Sequence, residues 1–189
     1  MSYLNKTLTF ESDKIYYYDE NFDLNFEVMM NWEDPLMSAS AAYVCQNGGD
    51  ILEIGFGMGI SAGYIQSHSI NSHTICENHP QIIPLALEWA EDKPNVTIVT
   101  SSWYDVKDTI GTFDGIFYDT FGDDHVGDFS SSLMALCNDN AVATWFNAIN
   151  LSSSRDEDYP NISYDTYSVS PPSNFYFNES TYYLPKWQR

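Results

Sequence analysis

Positive charge is what this sequence has least of. Its 189 residues include seven Lys plus Arg against 27 Asp plus Glu, for a formal net charge of −20, and Arg155 and Arg189 are its only arginines. A field of that sign repels nucleic-acid phosphates, so neither DNA nor RNA is an expected partner. Two readings of the charge remain: a solvated acidic surface, or an acidic mouth that steers in a cationic ligand. Cysteine is also scarce. Cys45, Cys76 and Cys137 are odd in number, far apart and form no CxxC, which argues against a disulfide framework or a zinc site and for a reducing compartment. His68, His73, His79 and His125 lack ligand spacing, so no metal is expected. No apolar run is long enough to span a bilayer, and the first residues are too polar for a signal peptide. The expectation is a cytoplasmic chain, in a microbe or a virus-infected cell, with no membrane partner.

What is present suits one domain over residues 1–189, with 43% hydrophobic content and no internal repeat or long linker. Residues 1–28 are aromatic and acidic and are expected to form an irregular arm. The stretch 33–46 suits a helix in which Asp34 caps, Pro35 fits the first turn and Asn47-Gly48-Gly49 ends the run. Strands are expected at 50–54, 72–77, within 96–103 (a strand and its exit loop), 113–121 and 141–148. Helices alternate with them at 60–67, 80–91 (stopped by Pro94) and 130–138. The tail, residues 160–189, places β-branched and aromatic runs on either side of PPS and reads as an antiparallel β-hairpin. The fold class is therefore α/β: a doubly wound, mostly parallel seven-stranded sheet, Rossmann-like, with the C-terminal hairpin on one edge.

In such a sheet ligands sit beyond the carboxyl ends of the strands, at the switch point. Gly55, Gly57 and Gly59 of ILEIGFGMGISAG lie there. A dinucleotide fingerprint needs a third glycine where this loop has Ile60, and its task is to hold a pyrophosphate. Glu53, just ahead of the glycines, is ill placed beside a pyrophosphate. It suits the cationic end of S-adenosylmethionine instead. Glu77 closes the second strand, where an acid can accept hydrogen bonds from both ribose hydroxyls of either cofactor. Trp103, after the third strand, is placed either to pack on an adenine or simply in the core. Asp119 ends the fourth strand, and Glu33 in MNWEDPLM precedes the first helix. Two carboxylates facing a transferable methyl suit a guanidinium, whose planar fork binds carboxylates through paired hydrogen bonds.

WEDPLM, ILEIGFGMGISA, ICEN, SSW and FDGIFYDTF, together with PNISYDTYSVSPPSNFYFNES in the tail, resemble guanidinoacetate N-methyltransferase and the related fungal arginine δ-N-methyltransferases. The resemblance implies a class I methyltransferase domain that uses S-adenosylmethionine on a guanidinoacetate-like small molecule or an arginine. Met29, Met37 and the loop Gly55, Phe56, Gly57, Met58, Gly59, Ile60, Ser61 would line the cofactor site. Glu77 with Asn78 would hold the ribose, and Trp103 and Tyr104 would lie near the adenine. Asp119, beside the cofactor, and Glu33 would grip the guanidino group as catalytic residues, and Ala148 and Ile149 would receive the acceptor's carboxylate. Where the family carries a crossover helix before the hairpin, this chain has only LSSSRDEDYPN, so a second copy or the N-terminal arm is expected to cover that face. The alternatives are methylation of another amine, a non-catalytic S-adenosylmethionine-binding module, and an NAD-linked oxidoreductase.

Overall fold

A computed structural model describes residues 2–148 and 159–189. The alternation read from the sequence forms a single seven-stranded sheet. Strands β4 (Asp50–Ile54), β5 (Ser72–Cys76), β6 (Val96–Val99), β7 (Phe113–Tyr118) and β8 (Cys137–Trp145) run parallel, and β9 (Ser163–Ser168) and β10 (Thr181–Gln188) complete it in the order β6-β5-β4-β7-β8-β10-β9. Strand β10 is antiparallel to both β8 and β9, as expected of a terminal hairpin. The order reverses direction beside β4, which places the switch point at the glycine loop.

Helices α1 (Asp34–Val44), α2 (Ile60–Gln66), α3 (Ile83–Ala90), α4 (Trp103–Val106) and α5 (Phe129–Leu136) connect the strands. Alternation along β4 divides the core. Ile51 and, on β7, Phe117 pack with Leu36, Met37, Ala41 and Val44 of α1. Leu52, Ile54, Ile116 and Tyr118 pack with Phe129, Leu133 and Leu136 of α5. Burial on both faces is why these strands read as nearly continuous apolar runs. Gly115 lets α1 approach: a Cβ there would lie 2.1 Å from the Val44 carbonyl oxygen.

Two expectations need correction. Asp34 does not cap α1; it occupies the helix's first turn, where its charge favours the N-terminal dipole, and its carboxylate accepts from the Tyr64 hydroxyl at 3.0 and 3.2 Å. The N-terminal arm is not irregular. Strands β1 (Thr9–Phe10), β2 (Lys14–Asp19) and β3 (Leu24–Met30) form a separate antiparallel sheet. Tyr17 opposes Phe26 across β2 and β3, the rings stacked at 5.4 Å and 8°. Ile15 is buried against the α2–α3 side of the core with Leu8, Phe56, Ile75 and Ile82. Ile149 and most of LSSSRDEDYPN, where the family's crossover helix is expected, lie outside the described residues.

Candidate active site

A cavity of about 240 Å³ opens at the carboxyl ends of β4, β5 and β7. Of the residues expected at a cofactor site, Met29, Gly55, Phe56, Gly57, Ser61, Glu77, Asn78, Trp103 and Asp119 line it. Met37, Glu53, Met58, Gly59, Ile60 and Tyr104 do not, and neither do Glu33 and Ala148 of the expected acceptor set.

The three glycines answer first to the protein's own packing. All have positive φ, and Gly55, at +95°, would place a Cβ 1.9 Å from the Asp119 carbonyl oxygen. A side chain at Gly57 would strike Met29 Sδ at 2.6 Å, and one at Gly59 would strike the Phe56 ring at 2.7 Å. Met29 also accepts the Met58 N–H on its sulfur at 3.2 Å, so β3 holds the loop in place.

Glu53 is the main revision. It shares the α1 side of β4 with Ile51, whereas its neighbour Ile54 faces the cavity. Its fully buried carboxylate accepts from Ser61 Oγ and lies 2.9 Å from Nε2 of the equally buried His73. His73 Nδ1 is 3.3 Å from Gln66 Nε2. Glu53 thus ties α2 to β5 behind the loop instead of facing a ligand in front of it.

Glu77 is held by the backbone: Oε2 accepts from Phe56 N–H at 3.0 Å, and Oε1 accepts from the N–H groups of Asn78 and His79 at 2.8 Å each. A carboxylate has about four acceptor sites, so these bonds leave room for roughly one more donor. The Trp103 indole is buried in the α5 core, and its N–H donates to Asp123 Oδ2 at 2.7 Å. Asp123 also accepts from the Tyr118 hydroxyl at 2.6 Å and the His125 N–H at 2.8 Å. Tyr104 lies flat on His125, with ring centroids 3.8 Å apart.

Glu33 is 3% exposed; its Oε1 accepts from Met30 N–H at 2.9 Å and from the Tyr176 hydroxyl at 2.5 Å, while Trp32 Nε1–H donates to the same hydroxyl at 3.2 Å. Burial, and then the charge of Asp119, push the Glu33 carboxyl well above the carboxylate range. Asp119 is raised as well, by its protein surroundings and then by Glu53. The two acids form a pair short of positive charge.

Sequence reasoning missed Tyr3, Asp105 and Asp124, which also line the cavity, together with Phe121, the last residue of FDGIFYDTF. Tyr3 packs edge-on against Phe121 at 5.1 Å and over His79 at 4.7 Å, bringing the N-terminal residues onto the mouth. It also missed Tyr176, which reaches Glu33 from 143 residues away; the NFYFNES stretch was the only signal for it.

The strand order and a cavity at the switch point define a Rossmann-like domain of the kind seen in a crystal structure of spermidine synthase from Thermotoga maritima. That structure matches 96% of this chain and 72% of its own with a TM-score of 0.67, at 11% identity, a likeness of fold alone. Sequence comparison goes further. The profile of guanidinoacetate N-methyltransferase matches residues 17–131. Protein arginine N-methyltransferase 2 of Aspergillus oryzae is 35% identical over 176 residues, covering 87% of this chain and 39% of that protein. Its counterpart from Yarrowia lipolytica is 34% identical over 154 residues, covering 72% and 32%. The chain belongs to the guanidinoacetate N-methyltransferase family. It spans between 32% and 39% of the length of those two relatives.

Proposed function

We propose that this chain is an S-adenosylmethionine-dependent N-methyltransferase acting on a guanidino group, carried by a guanidinoacetate-like small molecule or an arginine. The observation that supports this most is the charge of the cavity: Glu77, Asp105, Asp119, Asp123 and Asp124 line it, and no Lys or Arg does among the described residues. Such a lining suits a cofactor with a sulfonium and an ammonium, and it repels the pyrophosphate of a dinucleotide. When bound, S-adenosylmethionine would supply an electrophilic methyl group. Gly55, Phe56, Gly57, Ser61, Glu77, Asn78 and Trp103 would hold it, with Glu77 offering its remaining acceptor site to a ribose hydroxyl.

Asp119 and Glu33 would hold the guanidinium by paired, charge-assisted hydrogen bonds. Loss of solvent raises both carboxyls first, with the charge of Asp119 adding at Glu33 and that of Glu53 adding at Asp119, and a bound cation would offset that cost. The pair then orients one nitrogen and polarises it. As the nitrogen–carbon bond forms and the sulfur–carbon bond breaks, the nitrogen's proton passes to a carboxylate of the pair. The reading includes a cytoplasmic location and a homodimer covering the sheet face beyond β8, which sedimentation velocity would test.

The test is methyl transfer from labelled cofactor to guanidinoacetate, arginine, agmatine and an arginine peptide, with calorimetry of cofactor binding alongside. Asp119→Asn is expected to lower turnover by about 100-fold or more, on the scale of general-base losses, while S-adenosylmethionine still binds. Full activity in that variant, or binding of NAD in place of S-adenosylmethionine, refutes the proposal.

A further inference from the structure

A line of aromatic rings runs from the cavity to the tip of the N-terminal sheet. Phe121 and Tyr3, both at the cavity, lie 6.0 and 6.4 Å from Tyr17. Tyr17 stacks on Phe26, which contacts Phe22 at 5.8 Å and Phe175 at 4.3 Å. The far end is open to solvent: Phe22 is 66% exposed and Phe175 59%. Phenylalanines so exposed and so grouped mark an interaction site more often than a bare surface does.

The charge around them indicates the partner. Glu20 and Asp23 flank Phe22 in the β2–β3 turn, and Glu27 accepts the Phe175 N–H at 3.1 Å. No uncompensated cation opposes them: each Lys and Arg among the described residues lies 2.5–3.9 Å from a carboxylate. A second copy of a chain at −20 would meet its own repulsion here, whereas a basic segment would not. The line already carries one cation, for Lys6 Nζ sits 5.1 Å over the Tyr17 ring.

We infer that the Phe22–Phe26–Phe175 surface docks an arginine-rich polypeptide segment, stacking guanidinium groups on its rings and pairing them with Glu20, Asp23 and Glu27, so that a substrate arginine is presented to the adjoining cavity. The inference rests on the guanidino-directed reading above. Within it, the acceptor is a polypeptide held outside the catalytic pair as well as inside it.

The probe is a fluorescein-labelled Gly-Arg repeat peptide, with a Gly-Lys repeat of equal charge as its control. Anisotropy titrations without cofactor are run on the wild-type chain and on Phe22→Ser, Phe175→Ser and the double variant. The substituted rings are exposed, and circular dichroism verifies folding. The expected result is tighter binding of the arginine peptide than of the lysine peptide, with a dissociation constant raised about tenfold by the double variant, a typical loss for aromatic anchors. In methylation assays KM for the peptide rises while kcat and turnover of free arginine stay unchanged. Equal dissociation constants for wild type and double variant overturn the inference. So does a wild-type dimer that the substitutions split, which would make a second copy the occupant. The binding assay needs no turnover, so failure of methyl transfer to every acceptor removes the guanidino-directed function and leaves the docking result to be read separately.

Discussion

Replacing Tyr176 with Phe removes one hydroxyl from the Glu33 site and leaves its ring beside Trp32 and Phe146. Because burial raises the Glu33 carboxyl, the folded chain keeps that proton at pH values where the unfolded chain has lost it. The stability linked to this group is greatest at low pH and declines as pH rises through the folded pKa. Tyr176 limits the decline by donating to the ionised form at 2.5 Å, leaving the Met30 N–H as the other donor. A hydrogen bond to a charged group contributes about 1.5–3 kcal/mol and one to a neutral group about 0.5–1.5 kcal/mol. The variant therefore loses roughly 1–2 kcal/mol more when Glu33 is ionised than when it is protonated. For a chain of this size each kcal/mol moves the melting temperature by about 2–4 °C. Thermal melts of both proteins at about pH 5 and about pH 9 are expected to show a variant deficit larger at high pH by about 2–8 °C. The lost acceptor of the Trp32 indole contributes equally at both pH values and cancels. The same deficit at both would mean that Glu33 does not ionise in this range, and the account of the acid pair would fail.

Gly55→Ala, with its Cβ set against the Asp119 carbonyl and φ at +95°, is expected to cost about 3 kcal/mol or more. Gly63→Ala, in α2 with nothing within 4 Å of the new Cβ, is expected to stabilise by about 0.5–1 kcal/mol; denaturant midpoints check both. His73→Ala leaves buried Glu53 with Ser61 alone and is expected to cost about 3–5 kcal/mol near neutral pH. Chemical denaturation near neutral pH measures the deficit, and a loss below about 1 kcal/mol would show that His73 is not needed to satisfy the buried carboxylate.

The parallel part of the sheet was legible because β4, β5, β6 and β7 are short runs rich in apolar residues that end at glycine, acid or threonine, and α1, α2, α3 and α5 show their own period. Asp119 and Glu77 could be placed at strand ends for the same reason. The N-terminal sheet was not legible. KIYYYD carries Tyr16, Tyr17 and Tyr18 on both faces with no clean apolar alternation, LNFEVMM alternates only over Leu24–Val28, and the pairing rests on ring contacts such as Tyr17 with Phe26 that no single segment displays. The misreading of Glu53 has a geometric cause. Nearness to a glycine loop in sequence does not say which face of the sheet a side chain takes, and a shift of one residue reverses the answer. Tyr176 was hidden by distance along the chain.

Strand β10 lies between β8 and β9 but follows both in sequence. The outer part of the sheet therefore cannot assemble in the order in which it leaves the ribosome. At about 5–20 residues per second, β9 emerges and waits on the order of seconds before β10 can join it to the sheet. Its sequence suits the delay: SYDTYS has no buried position even in the finished fold, so the waiting strand shows little that another nascent chain could bind. The apolar strand, with Tyr182, Leu184 and Trp187 buried, is made second, when neighbours on both sides are ready to receive it.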